Sequence, residues 1–369
     1  MSHINKQAFF TFVQSGLWEK TVWSSAFEQK DLKEVYRIAE EQSIVGLVAA
    51  GLELAKDNRT PKNELLTFVG TALQLEQRNR SMNAFIAQLM AALQAIGISA
   101  VLIKGQGIAQ CYERPLWRAC GDVDLLLDEE NYYKAKRYLS TISQDIEQED
   151  VERLHIGFTV QQWLVELHGT LRNRLGKRMD CVIDEVQHDT FINNRFRIWK
   201  NETAEILLPA PDSDAIFVFT HILDHFFRGG IGLRQICDWC RLLWTYREQL
   251  DEELLEKRLA KAGLMTEWKA FAALAVCKLG MPVEAMPLYC SDKKWIGKAE
   301  RILDLIMETG NFGHNRDKSY QQKYSRPIYK MISLCINTWD SMRQFIIFPK
   351  DAARAWMYRT KEGLVSLGK

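Results

Sequence analysis

The sequence of 369 residues has no low-complexity tract, no internal repeat and only 8 prolines, which excludes solenoids, collagen-like rods and long disordered stretches away from the ends. It has almost no net charge. Forty-eight Lys and Arg stand against 47 Asp and Glu, for +1, a balance that argues against a dedicated polyanion binder of the histone kind. It also lacks a run suited to crossing a bilayer: the most apolar late stretch, 331–348, is interrupted by Asp340 and Arg343, charges that hydrocarbon tolerates poorly. The first residues, Met1 to Gln7, show no basic segment, apolar run and small-residue cleavage site, so a cytoplasmic location with no membrane partner is expected. The 8 cysteines lie at irregular positions and read as reduced core fillers rather than a disulfide framework.

What is present is a globular composition, 47% hydrophobic and 26% charged, in a chain long enough for two or three domains. The charge is unevenly spread. Residues 316–369 carry 11 basic and 4 acidic side chains, or +7, leaving about −6 on the rest. Within that tail Lys and Arg interleave with Tyr320, Tyr324, Tyr329, Trp339 and Trp356. Such a surface could receive RNA or another phosphorylated acceptor, although a solvated helix face has the same composition.

Apolar residues recur at helical steps through residues 5–96, with Thr60-Pro61 opening the longest helix. The pattern changes at Gly97-Ile98-Ser99. Residues 100–103 read as a buried strand, broken by Lys104-Gly105-Gln106-Gly107; a helical pattern begins at Ile108, a loop covers 113–120, a second strand covers 123–127 and a helix covers 131–142. Residues 158–167 read as a third strand, and 196–199 with 206–208 as a hairpin around Asn201-Glu202. Beyond Pro209 and Pro211 helices return, over 213–227, 233–246, 251–262 and 268–279. The expected fold is α/β (α+β): an N-terminal helical region (1–96), an α/β domain with a mixed sheet (97–210), and a C-terminal helical domain with the basic tail (211–369).

In Gly121-Asp122-Val123-Asp124-Leu125-Leu126-Leu127 two carboxylates alternate with apolar residues, so a strand puts both on one face. Like charges there repel, and a divalent cation is the simplest compensation. Ion pairs to Arg114 or Arg118 are the alternative. If the pair is merely strained by repulsion, Asn at both positions should leave the fold intact or slightly stabilised. A second Asp-x-Asp, Asp212-Ser213-Asp214 after Pro211, reads instead as a helix cap with first-turn charge. Upstream, a strand running into Lys104-Gly105-Gln106-Gly107 and then a helix is an arrangement that brings backbone N–H groups close to phosphate.

Together, Leu102-Ile103-Lys104-Gly105, a helix, a loop reaching Arg118, and Gly121-Asp122-Val123-Asp124-Leu125-Leu126 resemble the uncharacterised bacterial nucleotidyltransferase family of the DNA polymerase β superfamily. The resemblance spans about residues 85–240. It implies a nucleotidyltransferase-type sheet, a nucleoside triphosphate as substrate with an unidentified acceptor, and Mg²⁺ or Mn²⁺ held by Asp122, Asp124 and, from a later strand, Glu166. It further implies nucleotide contacts from Lys104, Gly105, Gln106, Gly107, Arg118 and His168, and from His221 or His225, Arg234 and Asp238 in the helices beyond. Gln106 stands where the superfamily commonly has Gly or Ser. The implied outcomes are transfer to a small molecule or protein, transfer to RNA such as tRNA, or a nucleotide-binding module without turnover.

Two weaker patterns are set aside. His221 and His225 with Cys237 and Cys240 have spacings that could ligate zinc, but each pair has an ordinary packing reading and no zinc is expected. The segment 226–232, Phe-Phe-Arg-Gly-Gly-Ile-Gly, lacks the Lys-Ser or Lys-Thr of a P-loop and reads as a helix–helix connection.

Overall fold

The computed structural model describes residues 3–23, 31–56, 62–173, 175–228, 230–313, 315 and 323–367. Helix α1 (His3–Trp18) crosses α3 (Val45–Glu53) at glycines: a Cβ on Gly16 would strike the Leu47 carbonyl, and one on Gly51 the Phe12 carbonyl. Helix α2 (Leu32–Glu41) starts at Asp31, whose carboxylate accepts from the Lys33 and Glu34 amides. The N-terminal region is not helical throughout, because β1 (Val22–Trp23) and β2 (Ala55–Lys56) pair in parallel. Two-residue strands leave no period in a sequence. Helix α4 is described over Lys62–Ala95; its expected opening at Thr60-Pro61 lies outside the described residues.

The central sheet contains β3 (Val101–Ile103), β4 (Asp122–Leu126), β5 (Asp145–Ile146), β6 (His155–Val160) and β7 (Trp163–His168), in the order β3-β4-β7-β6-β5. Strands β4 and β7 run parallel, while the other pairs are antiparallel, so the sheet is mixed. Residues 158–167 are therefore not one strand but parts of β6 and β7, folded back at Gln161-Gln162, where Gln161 has φ 55°. Two glutamines carry none of the turn chemistry of Asn-Gly, which is why the run looked continuous. The short helix α5 (Gly105–Ala109) begins at the glycine turn, three residues before the helical pattern in the sequence.

One sheet face is apolar. Leu102, Val123, Leu125, Phe158, Val165 and Leu167 pack with Phe85, Ile86 and Leu89 of α4, and with Tyr132, Ala135 and Leu139 of α6 (Glu129–Ile142). Each buried Val, Leu, Ile or Phe of this set contributes about 1.5–3 kcal/mol. The opposite face carries the charged residues.

Helix α7 (Lys177–Phe191) leads to the hairpin of β8 (Phe196–Asn201) and β9 (Ala204–Pro209), longer than expected and turning at Glu202-Thr203. Helices α8 (Pro211–Arg228), α9 (Leu233–Thr245), α10 (Glu252–Ala262), α11 (Met265–Leu279), α12 (Lys293–Thr309), α13 (Arg326–Ile347) and α14 (Pro349–Leu367) follow. Asp212 and Asp214 do lie in the first turn of α8, and their carboxylates are held by arginines at and before β8 and, for Asp212, by the Asp251 amide at 2.8 Å. Arg195 donates to Asp212 at 2.6 Å and Arg197 to Asp214 at 2.7 Å.

Early and late helices share one core, in which Phe9 and Phe12 join Phe219, Trp239, Trp268 and Phe271. Trp18 Nε1 also donates to the Leu279 carbonyl at 2.6 Å. Among the described residues no helix is long and apolar enough to cross a membrane. In the basic tail Tyr324, Trp339 and Trp356 are exposed, whereas Tyr320 lies outside the described residues.

Candidate active site

Val123 and Leu125 drive one side of β4 into the apolar core, so Asp122 and Asp124 project from the other side. Parallel pairing with β7 then sets Asp124 opposite Glu166 and Leu126 opposite His168. Three carboxylates thus gather on two neighbouring strands, which cross-strand repulsion opposes unless positive charge is supplied.

Part of that charge comes from β3. Ile103 is the register partner of Asp124, and the chain turns sharply after it, with φ 55° at Lys104 and 41° at Gly105. The turn directs Lys104 Nζ to 3.2 Å from Asp124 Oδ1, while His168 Nε2 lies 2.8 Å from the same oxygen. Burial opposes ionisation of Asp124, but Lys104 and His168 outweigh it and hold the carboxyl well below the usual carboxylate range. Burial likewise opposes charge on Lys104, and Asp124, Glu166 and Asp122 together raise its pKa. Asp122 has the reverse balance: its carboxylate has no hydrogen-bond or ion-pair partner among the described residues. The charge on Asp124, then burial, pushes its pKa up to about 6.

Lys104, Asp122, Asp124 and Glu166 line a cleft of about 200 Å³ whose far wall is α8 and α9, with His221, His225, Arg234 and Asp238; His168 faces the neighbouring cavity. A second cavity of about 240 Å³ adjoins it through Lys104, Glu166, His221 and His225. On the other side, a third of about 250 Å³ is reached past Arg118 and Arg234 and is walled by Leu47, Ala50, Leu54 and Trp117. Burial lowers the pKa of His221 well below the ordinary histidine value, and brings His225 to about 4. Both imidazoles are neutral at pH 7.

The implied nucleotide contacts divide. Arg118 does not reach the aspartates: it makes a bidentate pair with Asp238, at 3.1 and 2.6 Å, and Tyr112 Oη donates to the same carboxylate at 2.8 Å. Arg114 pairs with Glu53. Neither arginine supplies the ion pair that was the alternative to a metal. Arg234 differs, since its one hydrogen bond among the described residues runs to the Ala119 carbonyl at 2.9 Å and its Nε is buried without a partner. No carboxylate lies within ion-pair distance of it among the described residues. Burial, then Arg118, lowers its pKa, the mark of an uncompensated cation.

The Gln106 side chain turns away from the cleft, donating to Asn79 Oδ1 at 2.8 Å, so only its backbone can face a nucleotide. Gly107 serves packing, because a Cβ there would meet Leu208 Cδ2 at 2.8 Å. Cys237 and Cys240 are buried in the helical core and join no ligand cluster with His221 and His225 among the described residues.

One residue escaped the sequence. His155 on β6 is the register partner of His168, and its Nε2 lies 3.2 Å from Glu166 Oε2. Its signal was available only once the Gln161-Gln162 turn was located, since counting outward from that turn puts 155 opposite 168.

The model of an uncharacterised nucleotidyltransferase family matches residues 28–280, more than half the chain and a span that contains every residue of the cleft. The chain belongs to this family. No curated protein and no solved structure matches it.

Nucleotidyltransferases typically use a divalent ion, and the donor set of this member suits one. Asp122, Asp124 and Glu166 outnumber the one ammonium that contacts them, that of Lys104, and they are hard oxygen donors that a divalent cation would bind. The Asp122 Oδ atoms are unengaged by any described residue on the cleft wall.

The metal-free nucleotidyltransferase should lose stability as pH rises from about 4 to about 6, because the folded Asp122 retains a proton that the unfolded chain has released. Asp122→Asn removes that loss and should stabilise the protein by roughly 2 kcal/mol at pH 7, allowing for solvent screening. Urea denaturation of both proteins at pH 4.5 and 7 measures it. Equal midpoints for the two at pH 7 would show that Asp122 is not strained.

Proposed function

We propose that the protein transfers a nucleoside monophosphate from a nucleoside triphosphate to an acceptor hydroxyl, with pyrophosphate leaving. The observation that carries this reading is the gathering of Asp122, Asp124 and Glu166 on β4 and β7, with Asp122 unpartnered and facing the cleft. These three would hold Mg²⁺ or Mn²⁺, which when bound neutralises charge on the reacting phosphate. The segment 97–210 acts as the catalytic domain, and the helical regions 1–96 and 211–369 form its walls. The protein works in the cytoplasm, where its free cysteines stay reduced.

The chain's own residues divide the remaining tasks. Gly105, held at positive φ where a side chain would crowd Cys120 Sγ at 3.2 Å, lets the backbone approach the triphosphate. Arg234 takes phosphate oxygens, gaining the anionic partner that it lacks. Glu166 lines both the cleft and the cavity beside it, and it accepts the acceptor's proton.

Arg234→Met should weaken binding of a nucleoside triphosphate with Mg²⁺ by about 10–100-fold, and Arg234→Lys by less, because a point charge replaces a forked donor. Isothermal titration calorimetry reads both. Unchanged affinity in the methionine variant would remove Arg234 from the phosphate site.

A second reading is a nucleotide-binding module without turnover, favoured by Lys104, which already sits on Asp124 at 3.2 Å. Pyrophosphate release from a triphosphate incubated with candidate hydroxyl acceptors, RNA among them, separates turnover from binding alone.

A further inference from the structure

The second cavity contains a donor set that the three carboxylates do not account for. Glu166 and His168 share a face of β7 at period two, and antiparallel pairing puts His155 of β6 directly opposite His168. The result is a histidine, a carboxylate and a second histidine converging from two strands. His155 Nε2 and His168 Nε2 lie 3.2 and 3.5 Å from Glu166 Oε2. One ligand atom from each residue falls within 4.8 Å of the others.

Those spacings have a chemical meaning. Four ligands about 2.0–2.1 Å from a tetrahedral ion are about 3.3 Å from one another. Two of the three separations already match that edge, so small side-chain adjustments would bring the donors to bonding distance. The fourth neighbour is Asp124, whose Oδ1 lies 2.8 Å from His168 Nε2. If His168 gives its nitrogen to an ion, the Asp124 oxygen released from that hydrogen bond stands beside the same ion. The strands hold these positions rigidly, because the opposite sides of β6 and β7 are packed with Ile156, Phe158, Val165 and Leu167.

Donor type then selects the ion. Magnesium prefers an octahedral set of oxygens and keeps its water, whereas imidazole nitrogen favours borderline transition ions. We propose that His155, Glu166 and His168 form a binding site for a divalent ion of the zinc and cobalt class, distinct from an ion on Asp122 and joined to the Asp122–Asp124 pair through Glu166 and Asp124. The site opens on the cavity of about 240 Å³ that also contains Lys104, His221 and His225, which leaves room for a water or an acceptor hydroxyl on the ion. It depends on this donor set alone and stands whether or not nucleotide transfer occurs.

The test uses the full-length protein, stripped of metal, with Co²⁺ as the probe. Titration followed by visible absorption and calorimetry should show a tight Co²⁺ site with the bands of a low-coordinate nitrogen and oxygen set, apart from any Co²⁺ taken by the Asp122–Asp124 carboxylates. Paramagnetically shifted, exchangeable ring N–H resonances from two histidines should appear in the proton spectrum of the wild type. His155→Gln should weaken Co²⁺ binding at least about tenfold, while Asp122→Asn should leave it within about twofold. Absence of Co²⁺ binding, or of histidine resonances in the Co²⁺-loaded wild type, overturns the site even if the glutamine variant cannot be folded. Equal affinity in wild type and a folded His155→Gln also overturns it. Thermal stabilisation by a nucleoside triphosphate with Mg²⁺ is read in parallel: its absence in a wild type that binds Co²⁺ counts against the proposed reaction and not against this site.

Discussion

Asp124→Asn is expected to destabilise the protein by about 3–5 kcal/mol, although it relieves repulsion between two carboxylates. The reason is the asymmetry of the pair. Asp124 is 4% exposed and compensates Lys104, a half-buried ammonium that the substitution leaves without its nearest counter-charge. Asp122→Asn removes a strained carboxylate and should act in the opposite direction. Replacing both by Asn is therefore expected to destabilise the fold, where the strand pattern alone suggested little change, because the cost at 124 should exceed the gain at 122. The same Asp124→Asn change should abolish any stabilisation by nucleoside triphosphate with Mg²⁺, since a ligand stabilises only a state that binds it. Differential scanning fluorimetry with and without ligand reads both effects. A mutant as stable as wild type would contradict the role of the Lys104–Asp124 pair, and one that keeps the ligand shift would contradict the role of Asp124 in the site.

Asp238→Ala is expected to cost a further-reaching 3–5 kcal/mol by the ~3–5 kcal/mol penalty of breaking a buried ion pair. It would leave the Arg118 guanidinium and the Tyr112 hydroxyl buried without their acceptor. Arg118 also fixes the loop before β4, because its carbonyl accepts from Asn79 of α4 at 2.8 Å. Loosening that loop should reduce nucleotide binding as well as stability. Asp238→Leu with Arg118→Met should recover much of the stability, since well-packed apolar replacements can match a buried pair, but not the nucleotide affinity if the loop's position matters. Urea denaturation measures the first effect and calorimetry the second. A loss below about 1 kcal/mol in the single variant would mean that Arg118 reaches solvent.

The carboxylate strand was legible because alternation is local: Asp122, Val123, Asp124 and Leu125 announce two faces without any knowledge of the rest of the chain. Glu166 came from the resemblance together with the same alternation in β7. The partners of those acids were not legible. Sequence proximity suggested Arg114 and Arg118, yet the structure pairs them with Glu53 and Asp238 and gives Asp124 to Lys104 and His168. Such pairings are set by how β3 and α9 pack, which no local pattern encodes. Asp212 and Asp214 show the same limit, for Arg195 and Arg197 reach them across the β8–β9 hairpin. His155 was hidden for a different reason, since Gln161-Gln162 gives no turn signal and the strand behind it could not be registered.

The central claim is that Asp122, Asp124 and Glu166 hold the divalent ion that works on a nucleoside triphosphate. Its most direct test is a crystal structure of the full-length protein with a non-hydrolysable nucleoside triphosphate and Mn²⁺, with anomalous scattering to locate the ion. A Mn²⁺ peak bonded to Asp122, Asp124 and Glu166 is expected, with phosphate oxygens on the same ion and on Arg234. A nucleotide bound with no anomalous peak at these carboxylates, or with Lys104 still seated on Asp124, would contradict it.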